Sequence, residues 1–576
     1  MKFSLSSHLL LLGAAVKYTT GQNENVLRKV HTGRRLQVLD EESCIAVVVE
    51  VQYSKDDLDS QESEASLACV MSNGFSYKVP FADDEYIREN FIEGEFTSGQ
   101  TELILGGNVM FDVDTSEIMV LSAGQTQLRA VNTNRRKLVT TTGVKSLLVV
   151  RVIASNKSTT ANENQLSDSI FGTNGDQVNL KSQFSACSNG MLTFNPAVGE
   201  GILNGVTQVT VRSSTNQGDA RMNNEITANL NSAFGVSSPA QIADHIMYCL
   251  PKGTMKGIAY AYFNSYLSVF DDDWCTYPSV GLHELGHNLN LRHSGEVGDP
   301  YGDQSGMMGY SYAEDENPRM CFNAAKSWKL GWYSDRTRTL DKWNANVYSG
   351  ELAGITANPG WATGPPMLLK LDVSSGDDFY LSYNNKESFN SGTKAGANEI
   401  RIVQDSNSGS TLQASLKVDQ SWTSSKVFGG DSVIVSRYSG PDPSSAYVYV
   451  CIGACDQIDP PVSPPVPAPS PKSPAPSNCV DSQLKFLVNK RLRSCNWVKQ
   501  NNTANRCSKN GGFAATHCPV ACGQTVPRGC IDATKRFALQ ENGALKSCAW
   551  VAKTSTQKRC RISGVADTCP VTCKDF

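Results

Sequence analysis

Three of the seven histidines in this 576-residue chain lie in the stretch HELGHNLNLRH, which runs from His283 to His293. His283 and His287 are four residues apart, so a helix would place both rings on one face. Two imidazole nitrogens at this spacing can reach one zinc ion at ~2.0–2.1 Å. Glu284 follows the first histidine and can act as a general base on a zinc-bound water. The stretch therefore predicts a zinc site with catalytic chemistry.

The third candidate ligand, His293, requires a turn in the chain. It stands six residues after His287 and cannot share its face on a continuous helix. The chain must therefore turn after about Leu289, and Asn290 occupies the turn. Asparagine tolerates a left-handed backbone better than most residues do. We predict a left-handed conformation at Asn290, which would bring His293 back to the metal.

This spacing resembles the HExxHxxGxxH motif of the metzincin clan of zinc endopeptidases, with Asn290 in place of the glycine. The resemblance implies His283, His287 and His293 as ligands of Zn2+ and Glu284 as catalytic base. It also implies a methionine turn beneath the metal, for which Met308 is the better candidate and Met307 the alternative. Tyr310, two residues after Met308, would either stabilise the oxyanion of the reaction or simply pack.

Within the metzincins the chain looks most like the gametolysin family of cell-wall-lysing peptidases. The resemblance covers roughly residues 140–455 and implies hydrolysis of a protein substrate from the extracellular matrix or cell wall. The implied fold is α+β, with a twisted mixed sheet, an active-site helix and a methionine turn. The matching stretches are SDSIFG (167–172), ACS (186–188), LHELGHNLNLRHS (282–294), YGDQSGMMG (301–309), CFNAAK (321–326), LGW (330–332) and FYLSYNN (379–385).

The elements that must position these residues are visible as apolar patterns. Leu282, Leu285 and Leu289 recur at helical spacing and provide a core face for the site helix. Residues 144–153 and 258–263 are rich in β-branched or aromatic residues and are predicted as strands. From about 336 to 455, short strand-like runs alternate with polar turns, which indicates an all-β sandwich or barrel. These runs are Met367–Val373, Phe379–Tyr383, Ile400–Val403, Ser432–Arg437 and Ala446–Cys451.

The start of the chain has the pattern of a secretory signal, with Lys2 followed by a short apolar run. The region after it ends in the basic cluster 134–137 and is interpreted as a propeptide or, alternatively, as ending in a solvated basic loop. In this region Cys44 and Cys69 would either supply a metal-blocking thiolate or form a disulfide; Asp112 or Asp114 are acidic candidates for the block. The predicted organisation is signal peptide 1–21, propeptide 22–137, peptidase domain 138–335, β-rich domain 336–457, proline-rich linker 458–478 and cysteine-rich repeats 479–524 and 530–574.

The two repeats share C-x-D, C-x-W-V and C-P-V-x-C segments and carry five cysteines each. Modules this short need disulfides in place of a large core. They resemble ShK-type toxin modules, which implies binding of a partner or of matrix. A disulfide-stapled spacer is the alternative.

Composition narrows the functional classes further. The net charge of −4 and the lack of a basic stripe give no reason to expect nucleic acid. Apart from the leader, no run has the ~18 apolar residues of a membrane span. Eighteen cysteines and sequons at Asn156 and Asn501 suit a secreted, extracellular or cell-wall glycoprotein. We therefore weigh a secreted zinc endopeptidase made as a zymogen against a non-catalytic adhesion protein; the sequence leaves the oligomeric state open.

Overall fold

The computed structural model describes two compact units, one up to Ser463 and one from Pro464 onward. The first is described over residues 36–38, 43–53, 64–105, 109–112, 116–120, 127–130, 141–309, 318–343, 346–357, 364–372, 377–427, 431–440 and 444–453. The second is described only in short stretches between residues 485 and 573. The predicted signal peptide, the basic cluster 134–137 and the proline-rich linker lie outside these residues.

The N-terminal region is mostly β-structure. The apolar run 45–51 lies inside one long strand, whereas the run 103–110 is divided between two. The elements are β1 (Leu36–Val38), β2 (Ser43–Gln52), β3 (Glu64–Val70), β4 (Ser76–Lys78), helix α1 (Asp84–Ile87) with a π-helical continuation (Arg88–Ile92), β5 (Thr101–Ile104), β6 (Val109–Asp112), β7 (Glu117–Val120) and β8 (Gln127–Ala130).

The peptidase segment that follows alternates strands and helices. Both strands predicted there are present, as β9 and β13. The elements are β9 (Gly143–Ile153), α2 (Glu163–Phe171), α3 (Leu180–Cys187), β10 (Leu192–Pro196), β11 (Val206–Thr210), α4 (Asp219–Phe234), β12 (His245–Leu250), β13 (Ala259–Tyr262), β14 (Leu267–Asp271) and α5 (Pro278–Asn288), with 3₁₀ turns at Thr215–Gln217, Pro239–Gln241 and Asp272–Thr276.

The strands of both regions form one sheet. In the peptidase segment β10 and β11 pair in parallel with β9, which pairs with β12, which pairs with β14. Strand β13 runs antiparallel to β14, and its other edge pairs antiparallel with β2 of the N-terminal region. The sheet then continues from β2 through β3, β4, β7 and β6 to β1. The N-terminal region therefore extends the peptidase sheet across the edge of β13.

Helices cover both faces of the peptidase sheet, and burial of their apolar faces stabilises the arrangement. On one face α2, α3 and α5 share a core that includes Phe184, Phe194 and Leu285. On the other face α4 contributes Met222, Ile226 and Leu230. The predicted core face of the site helix is confirmed, because Leu282, Leu285 and Leu289 all lie in the first of these cores.

The predicted β-rich region forms two sheets around a common core that includes Leu381, Ile402 and Val450. One has the order β15-β21-β20-β19-β18-β16 and the other β17-β24-β23-β22. The elements are β15 (Ser294–Gly295), α6 (Ala324–Lys329), a 3₁₀ turn (Ser334–Arg336), β16 (Thr337–Leu340), β17 (Val347–Ala353), β18 (Leu368–Leu371), β19 (Phe379–Tyr383), a 3₁₀ turn (Ser388–Asn390), β20 (Ile400–Ser406), β21 (Gly409–Leu416), β22 (Ser421–Val427), β23 (Asp431–Ser439) and β24 (Ser445–Ile452).

In the second unit the two repeats contribute to one small sheet, of order β26-β25-β27-β28. Its elements are β25 (Lys485–Val488), β26 (Arg491–Arg493), α7 (Cys495–Gln500), β27 (Phe537–Ala538), β28 (Leu545–Lys546) and α8 (Val565–Thr568). The second and fourth cysteines pair in both repeats, as Cys495–Cys518 and Cys548–Cys569. The third and fifth pair in the second repeat, as Cys560–Cys573. The first cysteine of each repeat lies outside the described residues.

Disulfides also join elements of the first unit. Cys44 pairs with Cys69 between β2 and β3, so neither supplies a free thiolate. Cys187–Cys321 and Cys249–Cys275 stabilise the peptidase segment. Within the described part of the chain, no helix has the length and apolar character to cross a membrane. The α+β class is confirmed; the metzincin assignment within it remains a prediction.

Candidate metal centre

Helix α5 carries the first two histidines and is buried along its whole length. Pro278 occupies its first turn, where a missing N–H has no effect on the helix. At Gly286, a Cβ atom would lie 2.7 Å from the Met308 sulfur, so only glycine lets the methionine pack this close beneath the helix. This places Met308 directly under the turn between His283 and His287.

The helix ends at the turn predicted from the sequence. Asn290 has φ 68°, in the left-handed region. Its amide donates to the His287 carbonyl at 2.9 Å, and the Leu291 amide donates to the Gly286 carbonyl at 2.9 Å. These bonds cap the helix and reverse the chain, so that His293 returns to the side of His283 and His287. The backbone prediction at Asn290 agrees with the structure.

The three histidines form a buried cluster in which their ligand atoms all lie within 4.8 Å of one another. The Nε2 atoms of His287 and His293 are 3.2 Å apart. Two imidazole nitrogens bound tetrahedrally to one zinc ion would be roughly 3.3 Å apart, given Zn–N bonds of ~2.0–2.1 Å. The spacing therefore fits a shared ion without rearrangement of these two rings.

Hydrogen bonds fix which ring nitrogen faces the cluster. His283 Nδ1 lies 2.8 Å from the Met307 carbonyl, and His287 Nδ1 lies 2.8 Å from the Leu291 carbonyl. A carbonyl only accepts, so each Nδ1 must carry the proton and each Nε2 must present a lone pair. For His293, Nδ1 is 3.5 Å from the Glu50 carboxylate and Nε2 is 3.2 Å from the Gln52 amide nitrogen, which fits the same tautomer.

Burial keeps these rings neutral. It lowers the pKa of His283 to about 3, against the opposing effect of the Met307 carbonyl. It also lowers the pKa of His287 and His293 well below the ordinary value, and the neighbouring histidines lower both further. Three neutral imidazoles with convergent lone pairs are the donor set of a zinc site that keeps its fourth position open.

Glu284 is buried beside the cluster, and neither of its carboxylate oxygens has a hydrogen-bond partner among the described residues. Burial raises its pKa well above the ordinary value, and the nearby Glu50 raises it further. A buried carboxyl without protein partners is unfavourable. A cation held by the three histidines would offset this, because a positive charge stabilises the carboxylate. The donor set and this carboxyl therefore fit a metal ion.

Of the other predicted site residues, the structure describes Met308 but not Tyr310. Met308 is fully buried at the position described above. Tyr310 lies outside the described residues, so its role stays a prediction. Tyr301, which the sequence analysis did not select, contacts the site instead: its ring centroid is 3.9 Å from that of His293, and its hydroxyl accepts from Gln52 Nε2 at 3.0 Å.

A buried polar network supports the loop between His293 and Met308. Asp303 is fully buried and accepts from Arg401 Nη2 of β20 at 3.0 Å. Its other carboxylate oxygen accepts from Asn323 Nδ2 at 2.9 Å. Ser410 of β21 donates its amide to the His293 carbonyl at 3.1 Å. The β-rich region thus positions both His293 and the loop that carries Met308. The contact between Arg401 and Asp303 joins residues 98 positions apart and leaves no local sequence signal.

The N-terminal region contacts the opposite side of the centre. Glu50 and Gln52 alternate along β2 and face Ala261 and Ala259 of β13, whose small side chains leave room for them. Gln52 is buried, and burial raises the pKa of Glu50 to about 7, against the opposing effect of Arg292. In the sequence, the signal that could have indicated this contact was the presence of these two polar residues on the buried face of an apolar strand.

A buried three-histidine cluster with an adjacent glutamate on a helix is an arrangement found in metal-dependent hydrolases. Residues 147–386 match the model of the gametolysin peptidase M11 family, a family of metallopeptidases. The resemblance drawn from the sequence is thereby confirmed. No curated protein matches the chain.

Proposed function

We propose that the protein is a secreted zinc metalloendopeptidase, made as a zymogen, that hydrolyses extracellular matrix or cell-wall proteins. The observation that carries this proposal is the convergence of three histidine nitrogens next to Glu284, whose carboxylate has no hydrogen-bond partner among the residues that the structure describes. A merely structural zinc site is usually closed by four protein ligands and has no use for an adjacent base. This favours an enzyme over the alternative of a non-catalytic adhesion protein.

The chain's residues divide the chemistry between them. His283, His287 and His293 would hold the ion, which lowers the pKa of a bound water and polarises the scissile carbonyl. Glu284 accepts the proton of the attacking water and delivers it to the leaving amine. Burial of the centre strengthens these electrostatic interactions, because water no longer screens them. Tyr310 would stabilise the oxyanion that forms during the reaction.

Secretion and processing belong to the same proposal. Disulfides in the N-terminal region, the peptidase segment and the second repeat suit an oxidising compartment. Cleavage near Lys137 would separate the region up to residue 137 from the peptidase segment. The two cysteine-rich repeats would then bind a partner or matrix at the end of the proline-rich linker.

The test is hydrolysis of casein or gelatin by material processed near Lys137, with and without a zinc chelator. The processed chain should hydrolyse the substrate, and the chelator should abolish this. Glu284→Ala should retain one zinc per chain and lose about 10²–10⁴-fold in turnover, the usual contribution of a general base. Zinc binding by the unmutated processed chain with no hydrolysis would favour the adhesion protein instead.

A further inference from the structure

The edge of strand β13 is covered by a segment of the same chain. Strand β2 pairs antiparallel with it from Val49↔Tyr262 to Gln52↔Ala259. The Phe263 amide extends the pairing by donating to the Val48 carbonyl at 3.0 Å. At Gly257 a Cβ would lie 2.3 Å from the Gln52 carbonyl oxygen, so the close approach of the two chains there requires glycine. An extended polypeptide thus passes directly along the metal centre.

The Gln52 side chain ends inside that centre. Its amide nitrogen is 3.2 Å from His293 Nε2, the same distance that separates the Nε2 atoms of His287 and His293. Ligands of one tetrahedral zinc ion lie roughly this far apart, given the Zn–N and Zn–O bond lengths. A half-turn of the amide exchanges its nitrogen for its oxygen, and the oxygen has a lone pair to offer. The Gln52 amide therefore lies at ligand–ligand distance from His293.

Further contacts hold the segment in place. Glu50, two residues earlier on the same face, lies 3.5 Å from His293 Nδ1. Ser98 donates its hydroxyl to the Phe263 carbonyl at 2.9 Å, and Asn264 donates to the Ser98 carbonyl at 3.0 Å. Arg292, next to the third histidine, donates to the Phe91 carbonyl at 3.1 Å. The N-terminal region thus contacts the metal centre and the end of β13 together.

We propose that the edge of β13 is the surface on which an extended peptide substrate pairs, and that β2 occupies it in the uncleaved chain with the Gln52 amide closing the fourth metal position. This inference rests on the proposed function and adds its regulation. A peptide that adds a strand gains main-chain hydrogen bonds regardless of its sequence, which suits an endopeptidase. This arrangement blocks the metal position without a cysteine thiolate or the Asp112 carboxylate. Cys44 and Cys69 are paired with each other. Strand β6, which carries Asp112, lies four strands from β2 in the sheet.

The first test compares zinc-loaded, uncleaved full-length chains. Gln52→Leu keeps the size of the side chain but removes the ligand, so extraction of zinc by a chelator should become at least about tenfold faster, within the 10–100-fold range for altered metal surroundings. Turnover of a quenched fluorescent peptide by the uncleaved chain should rise as well. Gln52→Glu should slow extraction, since a carboxylate is the stronger zinc ligand. Gln100→Leu, in the same region, is the control and should match the parent.

The second test probes the strand edge with a synthetic peptide of residues 45–53 bearing lysines for solubility. Added to the processed chain, it should raise KM and leave kcat unchanged. A peptide with proline at the position of Glu50 should inhibit at least about tenfold more weakly, because proline lacks the N–H that strand pairing uses. Equal inhibition by both peptides, or an effect on kcat alone, would overturn the proposed pairing.

These outcomes separate the inference from the function on which it rests. If the processed parent hydrolyses peptides but Gln52→Leu matches it in zinc extraction and in uncleaved activity, the assignment of Gln52 is wrong and the enzyme remains. If Gln52→Leu speeds zinc extraction while no form hydrolyses any substrate, the assignment stands and the proposed function is wrong. Melting temperatures of all variants should agree, which shows that each is folded.

Discussion

Two regions flank the three-histidine centre, and they act on it in opposite ways. The N-terminal region covers the edge of β13 and places Glu50 and Gln52 against His293. The β-rich region lies behind the centre, where Arg401 and Ser410 hold Asp303 and the His293 backbone. The first set of contacts must be released for a substrate to enter, whereas the second must persist for the site to keep its shape.

The two sets of contacts also differ in strength. Contacts from the N-terminal region are main-chain pairing and hydrogen bonds mostly between neutral groups, for which the net contribution is about 1 kcal/mol each. The contact from the β-rich region is a fully buried ion pair joined to an amide. Breaking such a pair by removing one partner costs about 3–5 kcal/mol, because a buried charge is left unpaired. The chain thus uses separable contacts on the substrate side and a strong buried pair on the supporting side.

The largest expected effect comes from breaking the support. Arg401→Met should lower the free energy of unfolding by about 3–5 kcal/mol, because Asp303 is left as a buried unpaired carboxylate. Urea unfolding of the full-length chain measures the loss, and processed material should lose activity with it. Arg88→Met removes an exposed ion pair with Glu93 in the N-terminal region and should change the free energy of unfolding far less, because solvent screens this pair. Equal losses in the two variants would contradict the contrast between the regions.

The second largest expected effect is a loss of stability at acid pH in the core of the peptidase segment. His245 lies buried on β12 with its ring 5.4 Å from that of Phe194, and burial lowers its pKa to about 4. The unfolded chain binds the proton below pH ~6.5, while the folded chain resists it until about pH 4. The stabilisation is therefore complete above pH ~6.5 and is lost as the pH falls towards 4, by roughly 3 kcal/mol at ~1.4 kcal/mol per pH unit.

A His245→Gln variant should show a shallower loss of stability between pH 7 and pH 4 than the parent chain, by about that amount, in urea unfolding at several pH values. The measurement distinguishes acid unfolding of the core from acid release of the N-terminal region. Parallel pH profiles in parent and variant would show that His245 is not the titrating group.

The features that were predicted correctly from the sequence are those that local residue patterns determine. The β-branched run at β9 and the aromatic-rich runs at β13 and β19 predicted strands, and the leucine spacing around His283 predicted the buried site helix. Residue tolerance of a left-handed backbone predicted the turn at Asn290. Contacts between distant segments could not be predicted. The pairing of Gln52 with Ala259 and of Arg401 with Asp303 joins positions that share no period or motif, so only the fold brings them together.

The smallest expected effect tests that turn. Asn290 has φ 68°, which glycine adopts freely and β-branched residues rarely do. Asn290→Gly should change the free energy of unfolding by less than about 1 kcal/mol, because relief of backbone strain is offset by the greater entropy of the unfolded chain. Asn290→Val should destabilise by about 1–3 kcal/mol, since the strained conformation then persists with a branched side chain.

Zinc affinity at pH 7 is the second measurement for this pair of variants. The turn sets the direction of His293, so the valine variant should bind zinc more weakly while the glycine variant matches the parent. If valine were tolerated in both stability and zinc affinity, the left-handed turn would not be what returns His293 to the metal. That result would assign the placement of His293 to the β-rich region instead, whose Ser410 amide donates to the His293 carbonyl at 3.1 Å, three residues after the turn.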